Sequence, residues 1–483
     1  MPTPYEISFE ALGKMKADIG EDSPFSADQI WPYASEVVPS ANRPGAITQL
    51  RRRGHIVQTG NIRNAASAQR AGSKVPEYKF APSEPDTDGS LTELIRISPS
   101  RISHSLLSKA FLILTGPSGT GKTRGAVKLA QQICGECCHE LVAVGADWTD
   151  NRHVIGYLNP LEPGTLDGQV FPIYENTPIL DLILQANANP DQPYILILDE
   201  MNLSHVERYF ADFLSAMELE DKRGALKLHA AGTAVTRTGV LIQGSIDFPT
   251  NLFVIGTVNI DETTYMFSPK VLDRANVIEI HAEKTAMENL LKGIESSNSV
   301  PEAKDYGISF LEAAHAIQTE EEHAQVPLLP DAVRQAAAAH LIALFGIMKR
   351  GRGEYGFRTG KEVMAYLRTA HFLTGPEAAG RTAWASGENW REALDAQILQ
   401  KILPKLHGSR SRLAPLLGAL AQYCATGNEI YAMEHFPGED GAAPKRGLKD
   451  ACDTPNPVFK NSYEKLKRMI DVLVEEQFVS FIC

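Results

Sequence analysis

The chain has 483 residues, 43% of them hydrophobic and 22% charged, with 37 Gly and 29 Pro. That length is a soft prior for about three domains, and the ordinary Gly and Pro usage excludes collagen-like, low-complexity and wholly disordered chains. A formal net charge of −12 argues against a general nucleic-acid binder, and no apolar run approaches the roughly 18 residues a membrane helix needs.

Residues 1–80 read as a small unit of their own. The segment opens with Glu6 and Glu10 and has no apolar signal region, so the expectation is a soluble, cytoplasmic chain. Spacing predicts a helix over Ser26–Val38 and a second over Pro44–Arg53, which Gly54 stops. A strand over His55–Thr59, a polar basic loop over 60–74 and a returning strand over Val75–Phe80 follow. Helix, turn, basic helix and two-stranded ribbon is the order of a winged helix. Within residues 51–80, Arg51, Arg52, Arg53, Arg63, Arg70, Lys74 and Lys79 stand against one acid, Glu77. That asymmetry suits either a local anionic partner or a solvated face. On the first reading, Arg51, Arg52 and Arg53 are candidate DNA contacts. Residues 81–92 have the Pro, Ser, Gly and acid content of a linker.

From 93 to 284, short apolar runs alternate with helical patterns. The runs are Phe111–Thr115, Leu141–Val144, Tyr194–Leu198 and Leu252–Thr257. Continuous apolar runs separated by helices predict a parallel sheet buried on both faces. Cys134, Cys137 and Cys138 cluster before His139, but structural zinc wants four ligands, generally from two separated pairs. No second Cys pair exists, and at a helix end these thiols read as packing groups. Residues 219–250, with LKLHAAG and GVLIQGS, predict a hairpin. From 285 to 483 the pattern becomes helical, over Ala286–Ser296, Pro330–Met348, Thr359–Phe372, Trp390–Leu403 and 462–478, with a loop over 433–458.

The strongest chemical signal is Gly116-Pro117-Ser118-Gly119-Thr120-Gly121-Lys122-Thr123, which fits G-x-x-x-x-G-K-[ST] after one apolar run and before a helix. The glycines let the backbone wrap and aim N–H groups at phosphate oxygens, and the helix N-terminus adds its dipole. Lys122 would bridge the β- and γ-phosphates and the Thr123 hydroxyl would ligate Mg²⁺. The run Tyr194–Leu198 ends in Asp199 and Glu200. Asp199 would hold Mg²⁺ and Glu200 would polarise the attacking water. A third run ends in Asn259, whose amide can orient that water or meet the γ-phosphate.

This order of motifs resembles the AAA+ NTPases, and more narrowly the McrB-like branch of modification-dependent (type IV) restriction systems of anti-phage defence. The narrower resemblance lies in DEMNLSHVERYFADFLSAME (199–218), GTVNIDETTYMFSPKVLDRANVIE (256–279), ILQKILPKLHGSRSRLAPLL (398–417) and FVSFI (478–482). It implies an α/β P-loop AAA+ core with an α-helical C-terminal lid, Walker A at 116–123, Walker B at 195–200 and sensor 1 at Asn259. It also implies an arginine finger at Arg274, a sensor 2 arginine at Arg358, and a weaker intersubunit candidate at Arg208. Expected partners are further copies in a hexameric ring, ATP or GTP as substrate, DNA, and a McrC-like nuclease subunit. The alternatives are a MoxR-like chaperone acting on a protein client and a non-catalytic nucleotide switch whose N-terminal unit assembles complexes.

Overall fold

The computed structural model describes residues 101–135, 137–166, 168–218, 225–237, 239–260, 265–280, 306–319, 326–374, 389–438, 440–450 and 453–482, and before these 11–12, 14–15, 25–26, 29–34, 56–64 and 74–80. The chain divides into two units, Met1–Asp88 and Gly89–Cys483.

In the first unit β1 (Phe25–Ser26), β2 (Ile56–Asn64) and β3 (Lys74–Phe80) form an antiparallel sheet in the order β1-β3-β2. The β2–β3 pair is the expected ribbon. Strand β2 runs on to Asn64 through a register shift between Gln58 and Ile62, where Gly60 permits the irregularity. The helix expected over Ser26–Val38 is corrected. Ser26 lies in β1, and Trp31–Tyr33 forms one 3₁₀ turn. Pro32 supplies the reason, since it removes a backbone donor and crowds the preceding turn. The helix expected over 44–53, with Arg51, Arg52 and Arg53, lies outside the described residues, as does the linker 81–92.

The second unit begins with α1 (Arg101–Ser108), β4 (Phe111–Gly116), α2 (Lys122–Cys134) and β5 (His139–Ala143). Strands β6 (Tyr157–Leu166) and β7 (Gln169–Glu175), helix α3 (Pro178–Ala188) and strand β8 (Tyr194–Asp199) follow. Helix α4 (Ala211–Ala216) leads to β9 (Ala225–Lys227), β10 (Thr233–Thr236), β11 (Leu241–Gln243) and β12 (Ser245–Asp247). Then come β13 (Leu252–Asn259), α5 (Pro269–Leu272) and β14 (Asn276–Glu279).

Five of these strands make an all-parallel sheet in the order β14-β4-β13-β8-β5. Strands β4, β8 and β13 bury nearly every residue, as strands covered on both faces must. Strand β5 is an edge and leaves Leu141 45% exposed. From β4 the chain crosses to β5, returns through β8 and β13, and steps over β4 to β14. Such a reversal of strand order is where open α/β sheets bind ligands, at the carboxyl ends of the strands.

The hairpin expected within 219–250 is present as two nested ladders, β9 with β12 and β10 with β11. It joins a hairpin that sequence reading missed, giving a four-stranded sheet β11-β10-β7-β6. The missed turn had a signal, because Gly168 follows Asp167 and takes φ 76°, the Asp-Gly pattern of tight hairpins.

The remaining chain forms α6 (Tyr306–Gln318), α7 (Asp331–Arg350), α8 (Phe357–Thr374), α9 (Asn389–Gln397), β15 (His407–Ser409), α10 (Arg410–Thr426), α11 (Lys460–Glu476) and β16 (Phe478–Ser480). Helices α7, α8 and α11 answer three of the expected ones, and 286–296 lies outside the described residues. The helix expected over Trp390–Leu403 ends at Gln397. One π-helical turn, Ile398–Ile402, and one 3₁₀ turn, Leu403–Lys405, replace its last part, because Pro404 cannot continue the ladder. Strands β15 and β16 pair antiparallel.

One apolar core runs from Leu112, Leu196 and Val254 in the sheet to Leu394, Leu420 and Leu466 in the helices. Cys134 and Cys138 are buried in it, and the Cys134 thiol donates to the Ala130 carbonyl at 3.1 Å. Among the described residues no helix is long and apolar enough to cross a membrane.

Helix α11 is fixed by a buried carboxylate from α9. Asp395, 3% exposed, accepts from the Asn461 and Ser462 backbone N–H groups at 2.8 and 2.9 Å and from the Asn461 amide at 3.0 Å. Asp395→Ala orphans these donors and should lower stability by about 1–3 kcal/mol. Urea unfolding measures it as a lower midpoint with an unchanged slope; an unshifted midpoint would refute this role for Asp395.

Candidate active site

The carboxyl ends of β4, β8 and β13 meet in one line. Asn259 pairs in register with Gly116, and Gly256 pairs with Leu198. That register sets Thr257 beside Asp199 and places three sequence-predicted motifs on one edge.

The phosphate loop leaves β4 at Gly116, with φ 151°, and passes Gly119 and Gly121 at φ 78° and 82°. These positive values favour glycine because an L side chain would clash with its own backbone. At Gly116 space adds a second constraint, since a Cβ would stand 2.2 Å from the Ile280 carbonyl oxygen. Pro117, Ser118 and Gly119 are exposed, Thr120 and Thr123 are half-buried, and Lys122 is buried at the start of α2. The Lys122 ammonium donates to the carbonyls of Gly116 and Pro117 at 2.9 and 2.8 Å and to Thr120 Oγ1 at 3.4 Å. All three of its donors are therefore spent on the loop. Burial pushes the Lys122 amine down, while the charges of Asp199 and Glu200 pull it back up.

Asp199 Oδ1 accepts two hydroxyls, from Thr123 at 2.6 Å and from Thr257 at 2.5 Å. Thr257 Oγ1 in turn accepts the Glu200 backbone N–H at 3.0 Å. Glu200 sits in the left-handed region, φ 52° and ψ 45°, which costs a non-glycine residue about 1–2 kcal/mol. Its exposed carboxylate accepts from the Asn259 amide at 3.0 Å, and the Asn202 amide reaches the Asn259 carbonyl at 3.4 Å. The structure thus brings Lys122, Thr123, Asp199, Glu200 and Asn259 together. Thr257 is the member that sequence reading missed. The only available signal was its place two residues before Asn259, on the same strand face.

The arginines stand apart from this group. Arg274 follows α5 and is 9% exposed. Its guanidinium donates to the carbonyls of Leu214 and Lys270 at 2.9 and 2.5 Å and pairs with Glu218. Arg358, on the first turn of α8, pairs with the same Glu218 carboxylate at 2.7 Å. The two guanidinium groups hold Glu218 below the usual carboxylate range, the Arg274 hydrogen bond most strongly, against a smaller upward push from burial. Asp273, the nearest acid in sequence, pairs instead with Lys405 at 2.5 Å. Arg208 is exposed.

Chemically, the edge offers backbone and ammonium donors for phosphate, two hard oxygen ligands on Thr123 and Asp199, and an exposed carboxylate on Glu200. Hydroxyl and carboxylate oxygens are the donor set that Mg²⁺ prefers. Residues 310–478 match a family described as a domain of unknown function (DUF8727). That match covers the helical part of the unit and leaves the phosphate loop outside. No curated protein matches the chain.

Gly116→Ala should destabilise the fold by at least about 1–3 kcal/mol from backbone strain, with the clash against Ile280 adding to it. Denaturant unfolding is the check. A variant as stable as the parent would show that Gly116 needs neither its φ nor its close approach.

Proposed function

We propose that the chain is a Mg²⁺-dependent nucleoside triphosphatase of the AAA+ class that works as a ring of copies. Within that class we read it as a McrB-like motor that remodels or translocates DNA in the cytoplasm for a separate McrC-like nuclease. The observation that carries the hydrolase is the convergence of the phosphate loop, Asp199, Glu200 and Asn259 on adjoining parallel strand ends, tied together by Thr257.

The loop N–H groups and Lys122 bind the phosphates of ATP or GTP. Lys122 exchanges neutral loop oxygens for phosphate oxygens, and charge-assisted hydrogen bonds are the stronger. Thr123 and Asp199 would hold Mg²⁺, which supplies positive charge against the phosphates when bound. Glu200 takes the proton of the attacking water as its oxygen bonds to the γ-phosphorus and the bridging oxygen leaves on the diphosphate. Asn259 holds the Glu200 carboxylate until substrate arrives. Arg274 has to leave Glu218 to reach the γ-phosphate of a neighbouring copy, and Arg358 has to do the same to reach the phosphates of its own.

The narrower reading is supported by where its segments lie. Residues 256–279 contain the end of β13, α5 and β14, beside the phosphate loop. Segments 398–417 and 478–482 meet in the β15–β16 ladder. One observation favours the MoxR-like reading instead. The sheet that contains β6 and β7 exposes Leu161 at 88% and Val170 at 71%, and exposed apolar groups suit a protein client.

Lys122→Ala should abolish nucleotide binding in a fluorescent-nucleotide titration. Glu200→Gln should still bind, lose about 10²–10⁴-fold in turnover and gather into a larger species on gel filtration with nucleotide and Mg²⁺. A Glu200→Gln chain that stays monomeric counts against the ring, and one that turns over normally counts against the hydrolase. Turnover stimulated by DNA supports the restriction motor; stimulation by a protein client with indifference to DNA transfers the reading to the chaperone.

A further inference from the structure

The C-terminal helical region holds the Asp273–Arg274–Ala275 segment with two lysines. Lys401, whose side chain is 0% exposed, donates to the main-chain carbonyls of Asp273 and Ala275, each at 3.0 Å. Its third donor meets Glu362 at 2.5 Å. An ammonium has three donors, so this one is saturated, two of its bonds straddling a single residue. Lys405 adds the pair with Asp273.

Such an arrangement is costly to build. A buried charge is tolerated only when paired and hydrogen-bonded, and apolar groups of like size often do as well for stability alone. Burial pushes the Lys401 amine down to about 8, with Glu362 pulling it back up. Glu362, itself 9% exposed, also pairs with Lys109 at 2.6 Å. Lys401 stands on the π-helical turn Ile398–Ile402, an irregularity that often marks functional positions. The result is a fixed base under a movable tip, because the Arg274 main chain is clamped while its guanidinium rests on groups it can leave.

We infer that Lys401 is a positioning residue for Arg274, fixing the main chain on both sides of the arginine that one copy presents to the next. This rests on the ring reading above. It predicts that loss of Lys401 harms a copy as donor of Arg274 and spares it as acceptor.

The experiment mixes full-length variants and follows turnover. Arg274→Ala, which keeps its own Glu200, is mixed with Glu200→Gln, which binds nucleotide, assembles and keeps Arg274. Recovery of turnover establishes donation between copies. The test protein is Lys401→Met combined with Glu362→Gln, which leaves no unpaired buried carboxylate. Alone it should lose kcat by on the order of tenfold or more at an unchanged KM, since its own nucleotide contacts are intact. Mixed with Glu200→Gln it should recover as fully as Arg274→Ala does, which a misfolded chain would not. With Glu200→Gln added to it as a third substitution, it should fail to rescue Arg274→Ala. The inference is overturned if the Lys401 variant is not rescued as acceptor, or if it serves as donor as well as Glu200→Gln alone. If Arg274→Ala is not rescued by Glu200→Gln, the ring reading itself fails, and the inference falls with it.

Discussion

Two threonine hydroxyls from different elements share one oxygen of Asp199, and the candidate site depends on that junction. Thr123 arrives from the first turn of α2 and Thr257 from β13. They can meet at β8 only because β13 lies between β4 and β8 in fixed register. A slip of one residue would turn Thr257 to the opposite face. With Thr257 in place, its oxygen can take the Glu200 N–H, and the chain leaves β8 through a left-handed residue. The strain at Glu200 is thus held by the sheet, and it aims an acidic side chain outward at the point where β8 ends.

Besides packing, several charged groups tie the helical region to the sheet-bearing part of the unit. Arg358, Lys401 and Lys405 all fall within the segment that matches the domain of unknown function. Their partners Glu218, Asp273 and Ala275 belong to the stretch that follows Asp199 and closes the sheet. Lys465 on α11 adds a buried pair with Glu279 at the end of β14. Since the apolar core is also continuous, a rigid swing of the whole helical region would break many contacts at once. Changes confined to side chains such as Arg274 and Arg358 disturb far fewer.

What the sequence made legible is what is local. The phosphate loop is eight consecutive residues whose types each answer one requirement, so its place and the helix after it could be read directly. The apolar runs of β4, β8 and β13 were legible because strands covered on both faces need no alternation. Thr257 was not, because a threonine in a strand ordinarily signals only β-propensity and its role arises from the neighbouring strand's register. Helix α10 carries Pro415, and a proline lowers any helix assignment drawn from pattern. The shared Glu218 partner of Arg274 and Arg358 was invisible for another reason. Residues 218 and 358 lie 140 apart, and no periodicity links them.

Every group the proposed chemistry requires already has an internal partner in the free chain. Lys122 holds loop carbonyls, Asp199 holds two hydroxyls, Glu200 holds Asn259, and Arg274 holds Glu218. Leaving the buried ones, Lys122 and Arg274, unpaired would cost more than any of these bonds contributes. On the proposed reading a triphosphate would have to compete with bonds that exist, and it would shift the site only by the difference between old and new partners. For Lys122 that difference favours phosphate, whose charge the loop carbonyls lack. For Arg274 it is smaller, because Glu218 is already an anion and Arg358 shares it. On the proposed reading the arginine would be the last of these groups to move, and a second anion on a second copy would favour its move.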